Sequence, residues 1–177
     1  MNLLFYACFT FMFYSIAGWI IEELYSLYST GSFKKDGFLK EPLKPMYGVA
    51  MTILIICYKF IEIRGIPFII LCFLIPTLIE YISGYMLKNI FHKVYWDYSD
   101  LNFNINGYVC LTFSFYWCIL SYVGVVYLNE EFFNQYIVHN KLINIISAVL
   151  FFIFLADFIT TLIRYKKDRR KETYYKN

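Results

Sequence analysis

Apolar and polar residues fall in long blocks along this chain and show no alternation. Five runs of about twenty residues, nearly free of charge, cover residues 3–25, 46–61, 66–87, 107–128 and 142–163. A helix rising about 1.5 Å per residue needs such a run to cross about 30 Å of hydrocarbon, so each is predicted to be a transmembrane helix. The second run is the shortest. It closes on Lys59, whose stem can carry the ammonium to the interface beside Tyr58 and Phe60. The separators carry turn chemistry: Gly31, Gly37, Pro42 and Pro45, then Gly65 and Pro67, then a stretch rich in Asn and Asp. The first run lacks a basic start and ends in Glu22-Glu23 instead of a small-residue cleavage site, so it reads as a retained span. The expected fold class is all-α, a polytopic membrane bundle of five transmembrane helices. Residues 1–165 form a single transmembrane domain and 166–177 a basic cytoplasmic tail.

Composition narrows the environment further. The 177 residues are 60% hydrophobic, 23% aromatic and 16% charged, and the mean hydropathy is +0.53. A soluble domain of this size has a larger charged fraction, and a disordered chain is poor in the aromatic and branched residues abundant here. The net charge of +3 does not suggest a nucleic-acid partner. Its distribution says more. With five spans, thirteen Lys and Arg fall on one side, Lys34, Lys40, Lys44, Lys88, Lys93 and the tail cluster among them, and only Lys59, Arg64 and Lys141 on the other. Basic residues concentrate on the cytoplasmic side, so the amino terminus is expected outside and the tail inside. That tail can touch anionic lipid headgroups, although a solvated tail is the simpler reading.

Four acids lie within the runs: Glu22, Glu23, Glu80 and Asp157. An intramembrane acid is costly and marks a candidate site by default. All four fall in the cytoplasmic third of their helices, Glu22 and Glu23 near enough to the interface for water or loop lysines to reach them. Helical spacing sets small residues beside them: Ser15, Gly18 and Glu22 share a face, as do Pro76, Glu80 and Gly84, and Thr161 lies one turn from Asp157. Such faces are expected to turn into the bundle, where the acids converge and would hold a proton, a cation or a substrate. Pro76 removes a backbone hydrogen bond a turn before Glu80, which allows a kink. On the fourth run Gly107, Cys110, Ser114, Cys118 and Ser121 make an uncharged stripe suited to helix packing.

Two inner loops are too apolar and rigid to be plain connectors. One contains Asp36-Gly37-Phe38-Leu39, Pro42, Pro45 and Tyr47-Gly48; the other contains Tyr95-Trp96-Asp97-Tyr98-Ser99, Asn102, Asn104 and Asn106-Gly107. Both should fold against the inner mouth of the bundle, since non-helical backbone at that level must be satisfied by protein or water. At these residues the chain resembles the ABC-transporter type IV, or CmpB-like, permeases, a family of small bacterial membrane proteins. The family pattern has a glutamate closing the first helix, then Asn-Arg-Gly-Phe-Leu, Gly-Pro and Pro-Ile-Tyr-Gly. Those elements are similar here to Glu22 or Glu23, Gly37-Phe38-Leu39, Pro42 and Pro45-Met46-Tyr47-Gly48. A later Trp-Trp-Asp-Tyr-Ser, Phe-Asn and Asn-Gly-Arg pattern is similar to Trp96-Asp97-Tyr98-Ser99, Phe103-Asn104 and Asn106-Gly107, with Ser114 and Trp117 following and Glu80 and Gly84 between. Asp36 and Tyr108 stand where the family has arginines, and Glu41 where it has the glycine before proline.

The resemblance implies a transport component of the bacterial cytoplasmic membrane acting with a separate ATPase subunit. Because five helices enclose little space for a sealed pathway, the chain is expected to act among membrane lipids as a homo-oligomer or with other chains. None of the eight glycines begins a Gly-x-x-x-x-Gly-Lys-Ser/Thr phosphate loop, so ATP coupling would come from a partner. The five cysteines stand singly in apolar runs, and His92 and His139 lack metal-ligand spacing, so no metal or cofactor is expected. No Gly-x-Ser-x-Gly nucleophile motif occurs. Two other readings stay open: an inner-leaflet enzyme on a lipid-borne substrate with Asp97 as general base, and a non-catalytic membrane scaffold.

Overall fold

The computed structural model describes residues 2–33 and 37–176, with the backbone alone over 168–176. The chain is 77% helical. Helix α1 spans Leu3–Thr30, α2 Pro45–Lys59, α3 Gly65–Asn89, α4 Leu111–Val123 and α5 Asn129–Lys176, with a π-helical turn at Gly124–Leu128 joining α4 to α5. Three stretches are long and apolar enough to cross a membrane: Leu3–Thr30, Gly65–Asn89 and Leu111–Lys167. The last contains the π-helical turn between α4 and α5 and the break at His139, and α2 is a shorter apolar helix of 15 residues.

Local sequence explains most boundaries. Asn2 caps α1 by accepting from the Leu4 amide, and Gly31 closes it at φ 72° while its N–H returns to the Leu27 carbonyl. Pro45 stands in the first turn of α2, where its missing N–H costs nothing. Pro76 lies inside α3, which continues through it. Helix α5 departs from helical geometry at His139 (φ −113°, ψ 25°), dividing it into arms over 129–138 and 140–176.

The helices alternate in direction. Thr10 meets Thr52 at 3.1 Å and the Lys44 amide donates to the Ser15 carbonyl at 3.0 Å, so α1 and α2 run antiparallel. Phe68 packs on Tyr122 and Phe73 on Phe115, so α3 and α4 do too. Cys8 donates to the Ser147 carbonyl and Phe11 packs on Phe151 and Phe154, setting the second arm of α5 parallel to α1. Small residues set the α1–α2 spacing. A Cβ on Gly48 would overlap the Phe11 carbonyl and the Ser15 hydroxyl, and one on Gly18 would overlap the Tyr47 ring.

The main core gathers Tyr6, Tyr14, Leu54, Ile55, Phe68, Cys72, Val125 and Tyr136; Met12, Leu39 and Leu43 form a second, smaller cluster under the first inner loop. Outward faces stay apolar: Leu74, Leu78, Ile119, Phe152 and Ile163 are all more than half exposed. Apolar exposure on that scale suits lipid and not water.

Two sequence-based boundaries need correction. The fourth run was expected to be helical from Gly107, but α4 starts at Leu111 because residues 104–110 form a short antiparallel hairpin, Asn104–Ile105 with Val109–Cys110. Asn106 and Gly107 both take positive φ, and the Tyr108 amide donates to the Ile105 carbonyl, as a type I′ Asn-Gly turn requires. The fifth run is predicted to begin at residue 142, but α5 starts at Asn129 and apart from His139 residues 129–141 are helical, the buried Asn129 accepting from the Tyr6 hydroxyl at 3.0 Å.

Candidate functional site

One end of the bundle holds a chamber of about 800 Å³ between α1, α4, the start of α2 and the loop after α3. Of the sequence-predicted residues, Glu22, Glu80, Tyr47, Trp96, Asp97 and Tyr98 line it. A second cavity of about 270 Å³ lies deeper among Tyr14, Gly18, Met51, Pro76 and Ser121, and shares Tyr47, Glu80 and Trp117 with the chamber.

Glu22 reaches the wall from the last third of α1. Its carboxylate accepts from the Tyr47 hydroxyl at 2.9 Å and pairs with the Lys44 ammonium at 2.7 Å. Both partners flank the Pro45 entry to α2, and the glycine at 18 lets the Tyr47 ring lie flat on α1 below Glu22. Glu80 is 2% exposed on the inner face of α3, in line with buried Pro76 and Gly84. The Tyr98 hydroxyl donates to its Oε1 at 3.0 Å and the Trp117 indole N–H to its Oε2 at 3.1 Å. Trp117 also meets Tyr47 edge-on at 5.2 Å, which joins the two acid sites through one aromatic contact. Among the described residues no Lys or Arg lies within 4.0 Å of Glu80. Burial and the adjacent Glu80 hold the Tyr98 phenol well above its ordinary range, so it remains a donor.

The loop after α3 is held by its own bonds. The Asp97 carboxylate accepts from the Ser99 hydroxyl and amide, which holds its carboxyl below the usual range although the residue is exposed. The Trp96 indole donates to the Tyr108 carbonyl, the Tyr98 amide to the Gly107 carbonyl, and Asn104 bonds the Ser99 and Leu101 carbonyls while accepting from the Gly107 amide. Gly107 packs on Asp97 and Ser99 so closely that a side chain there would collide with both. Asn106 donates to the Tyr81 hydroxyl at 3.3 Å, and Gly84 leaves room on α3 for Tyr108 and Trp96.

The structure does not bring every predicted acid to the chamber. Asp157 lies on α5 against the first inner loop, where its Oδ2 accepts from the Lys40 and Glu41 amides at 2.9 and 3.0 Å and Thr161 donates to its Oδ1. The expected convergence of all four acids therefore fails at Asp157, because backbone amides of the loop occupy its carboxylate. Glu23 is buried and does not line the chamber. The first loop motif likewise packs beside α5. Phe38 stacks on Tyr165 at 5.4 Å and meets Phe91, Leu39 is buried, and Tyr95 bonds both the Gly37 carbonyl and the Tyr165 hydroxyl. Pro42 is exposed, and Asp36 lies outside the described residues. Tyr25, Phe113 and Tyr116 also line the chamber and were not singled out from the sequence. The signal for them was helical spacing, since Tyr25 follows Glu22 by three and Phe113 precedes Trp117 by four.

No curated protein and no solved structure matches the chain. The model of a protein family does, over residues 9–162, a stretch that holds α1 through α4 nearly whole, both inner loops and every acid described above. By that match this membrane protein belongs to the family described as "Putative ABC-transporter type IV".

Proposed function

We propose that the protein is an integral transport component of the bacterial cytoplasmic membrane, an ABC-type permease subunit, with an acidic site at the cytoplasmic side of its bundle. The observation that carries this reading is the pair Glu22 and Glu80, two carboxylates from separate helices in the wall of one large chamber. In this reading the chain crosses the bilayer five times as a single domain, amino terminus outside and basic tail inside. The thirteen-to-three division of Lys and Arg supports that orientation. Energy would come from a separate ATPase subunit, and a second copy of the chain would complete a sealed pathway among the lipids. Glu22 and Glu80 form the substrate or ion site, and the loops around Phe38 and Trp96 form its inner rim. The reading as a lipid enzyme with Asp97 as base is weaker, because hydrogen bonds from Ser99 lower the proton affinity that a base needs.

The test is complementation. A deletion strain, profiled against transported solutes and toxic compounds, is expected to be rescued by the wild-type chain but not by Glu80→Gln at equal membrane levels. Full rescue by Glu80→Gln overturns the site.

A further inference from the structure

The composition of the chamber wall says what would be stable inside it. Among the described residues its lining contains no Lys or Arg. Glu22 is balanced by Lys44 from outside the lining, whereas the hydrogen-bond partners of Glu80 among the described residues are the neutral Tyr98 and Trp117. An ionised Glu80 therefore places in the wall a negative charge that no nearby side chain among those described offsets, and burying such a charge unpaired is costly. The same chamber wall carries the rings of Tyr25, Tyr47, Trp96, Tyr98, Tyr116 and Trp117, of which Tyr98 and Trp117 touch the Glu80 carboxylate. Aromatic faces attract weakly hydrated cations, most strongly where water is scarce. A hard divalent cation such as Ca²⁺ or Mg²⁺ takes about six or more oxygen ligands and Zn²⁺ about four side-chain or water ligands, and among the described residues no group of three His, Cys, Asp or Glu could hold a metal ion. Among the described lining residues an anion meets the carboxyl groups of Glu22, Glu80 and Asp97 and no cationic side chain.

Access and shape add the rest. The flank between α1 and α4 carries Ile21, Tyr25, Ile119 and Leu120, which line the chamber yet are 41%, 55%, 60% and 45% exposed. An exposed apolar flank of this kind suits entry from lipid, and the cavity of about 270 Å³ that shares Glu80 and Trp117 is walled almost wholly by apolar groups. We propose that the chamber binds an amphiphilic organic cation, its ammonium group held between Glu80 and the ring cage and its apolar body seated in the inner cavity. The proposal rests on the acidic-site reading above and specifies its ligand.

The test uses the full chain in maltoside micelles, with hexyltrimethylammonium as probe and tryptophan fluorescence as readout, since Trp96 and Trp117 both line the wall. Saturable quenching is expected with hexyltrimethylammonium and not with hexanol or hexyl sulfate. Glu80→Gln should weaken binding about tenfold or more, the scale of a desolvated cation contact. Trp117→Phe, which keeps a ring but loses the N–H, should weaken it less while leaving the selectivity. Micelles doped with phosphatidylethanolamine or phosphatidylglycerol distinguish the source: competition by the amine lipid alone assigns a lipid headgroup, and no competition assigns a free amphiphile, both in support. Equal binding of hexanol or hexyl sulfate, or unchanged affinity in a monodisperse Glu80→Gln protein, overturns the proposal. If selectivity is absent but Glu80→Gln still fails to complement, the ligand class falls and the acidic site stands.

Discussion

At the scale of single residues, three of the four acids in the apolar runs divide by what satisfies them. Glu22 has a lysine and a phenol, Glu80 a phenol and an indole, and Asp157 two backbone amides and a threonine. The last arrangement is an anchor: one carboxylate oxygen collects two amides of a loop that would otherwise face the helix with unpaired donors. Asp157→Ala is therefore expected to release the first loop while sparing the chamber. Hydrogen exchange should rise over residues 37–43 and stay unchanged over 95–107. Equal protection in the variant would show that Phe38 and Leu39 hold the loop without it. From sequence, Asp157 and Glu80 look alike, each an acid in an apolar run with a small or hydroxyl neighbour one turn away. What separates them is the partner, 117 residues from Asp157 and 18 and 37 residues from Glu80, and helical periodicity carries no record of it.

At the scale of elements, glycines decide how near the helices lie, and their neighbours decide what a substitution costs. At Gly48 a methyl group would meet the Phe11 backbone carbonyl, which cannot move without shifting α1; at Gly124 it would meet the Met51 methyl group, the end of a flexible side chain. Gly48→Ala is expected to destabilise the protein by about 1–3 kcal/mol, as overpacking does, and Gly124→Ala by clearly less. Thermal unfolding in detergent would compare them, and equal losses would contradict the packing described. Helix positions were legible in the sequence because apolar blocks of this length have few other uses. The extent of α5 was not, since the polar stretch around Asn134 and Gln135 looks like a connector and is held helical by contacts such as Tyr6 to Asn129. The hairpin at 104–110 did leave a signal, Asn-Gly between short apolar pairs, but the surrounding apolar run hid it.

At the scale of the whole molecule, the alternation of helix directions collects both inner loops, the chamber and the cluster around Phe38 at one end, while Lys59, Arg64 and His139 mark the other. With five crossings, a reporter that is active only outside the cytoplasm should work when fused after residue 63 or 139 and fail after residue 92 or 167. A cytoplasmic fluorescent reporter should show the reverse. Activity at residue 92 would discard the proposed orientation. The brevity of α2 has a consequence of its own. Its 15 residues rise only about 22 Å, several ångströms less than the hydrocarbon it would have to cross. Lys59 at its end is already tied to Glu130 and set over the Phe133 ring, so the helix cannot lengthen there. In the proposed five-crossing arrangement the outer leaflet would have to dip toward α2, and this hydrophobic mismatch would draw the protein toward thin regions of the membrane.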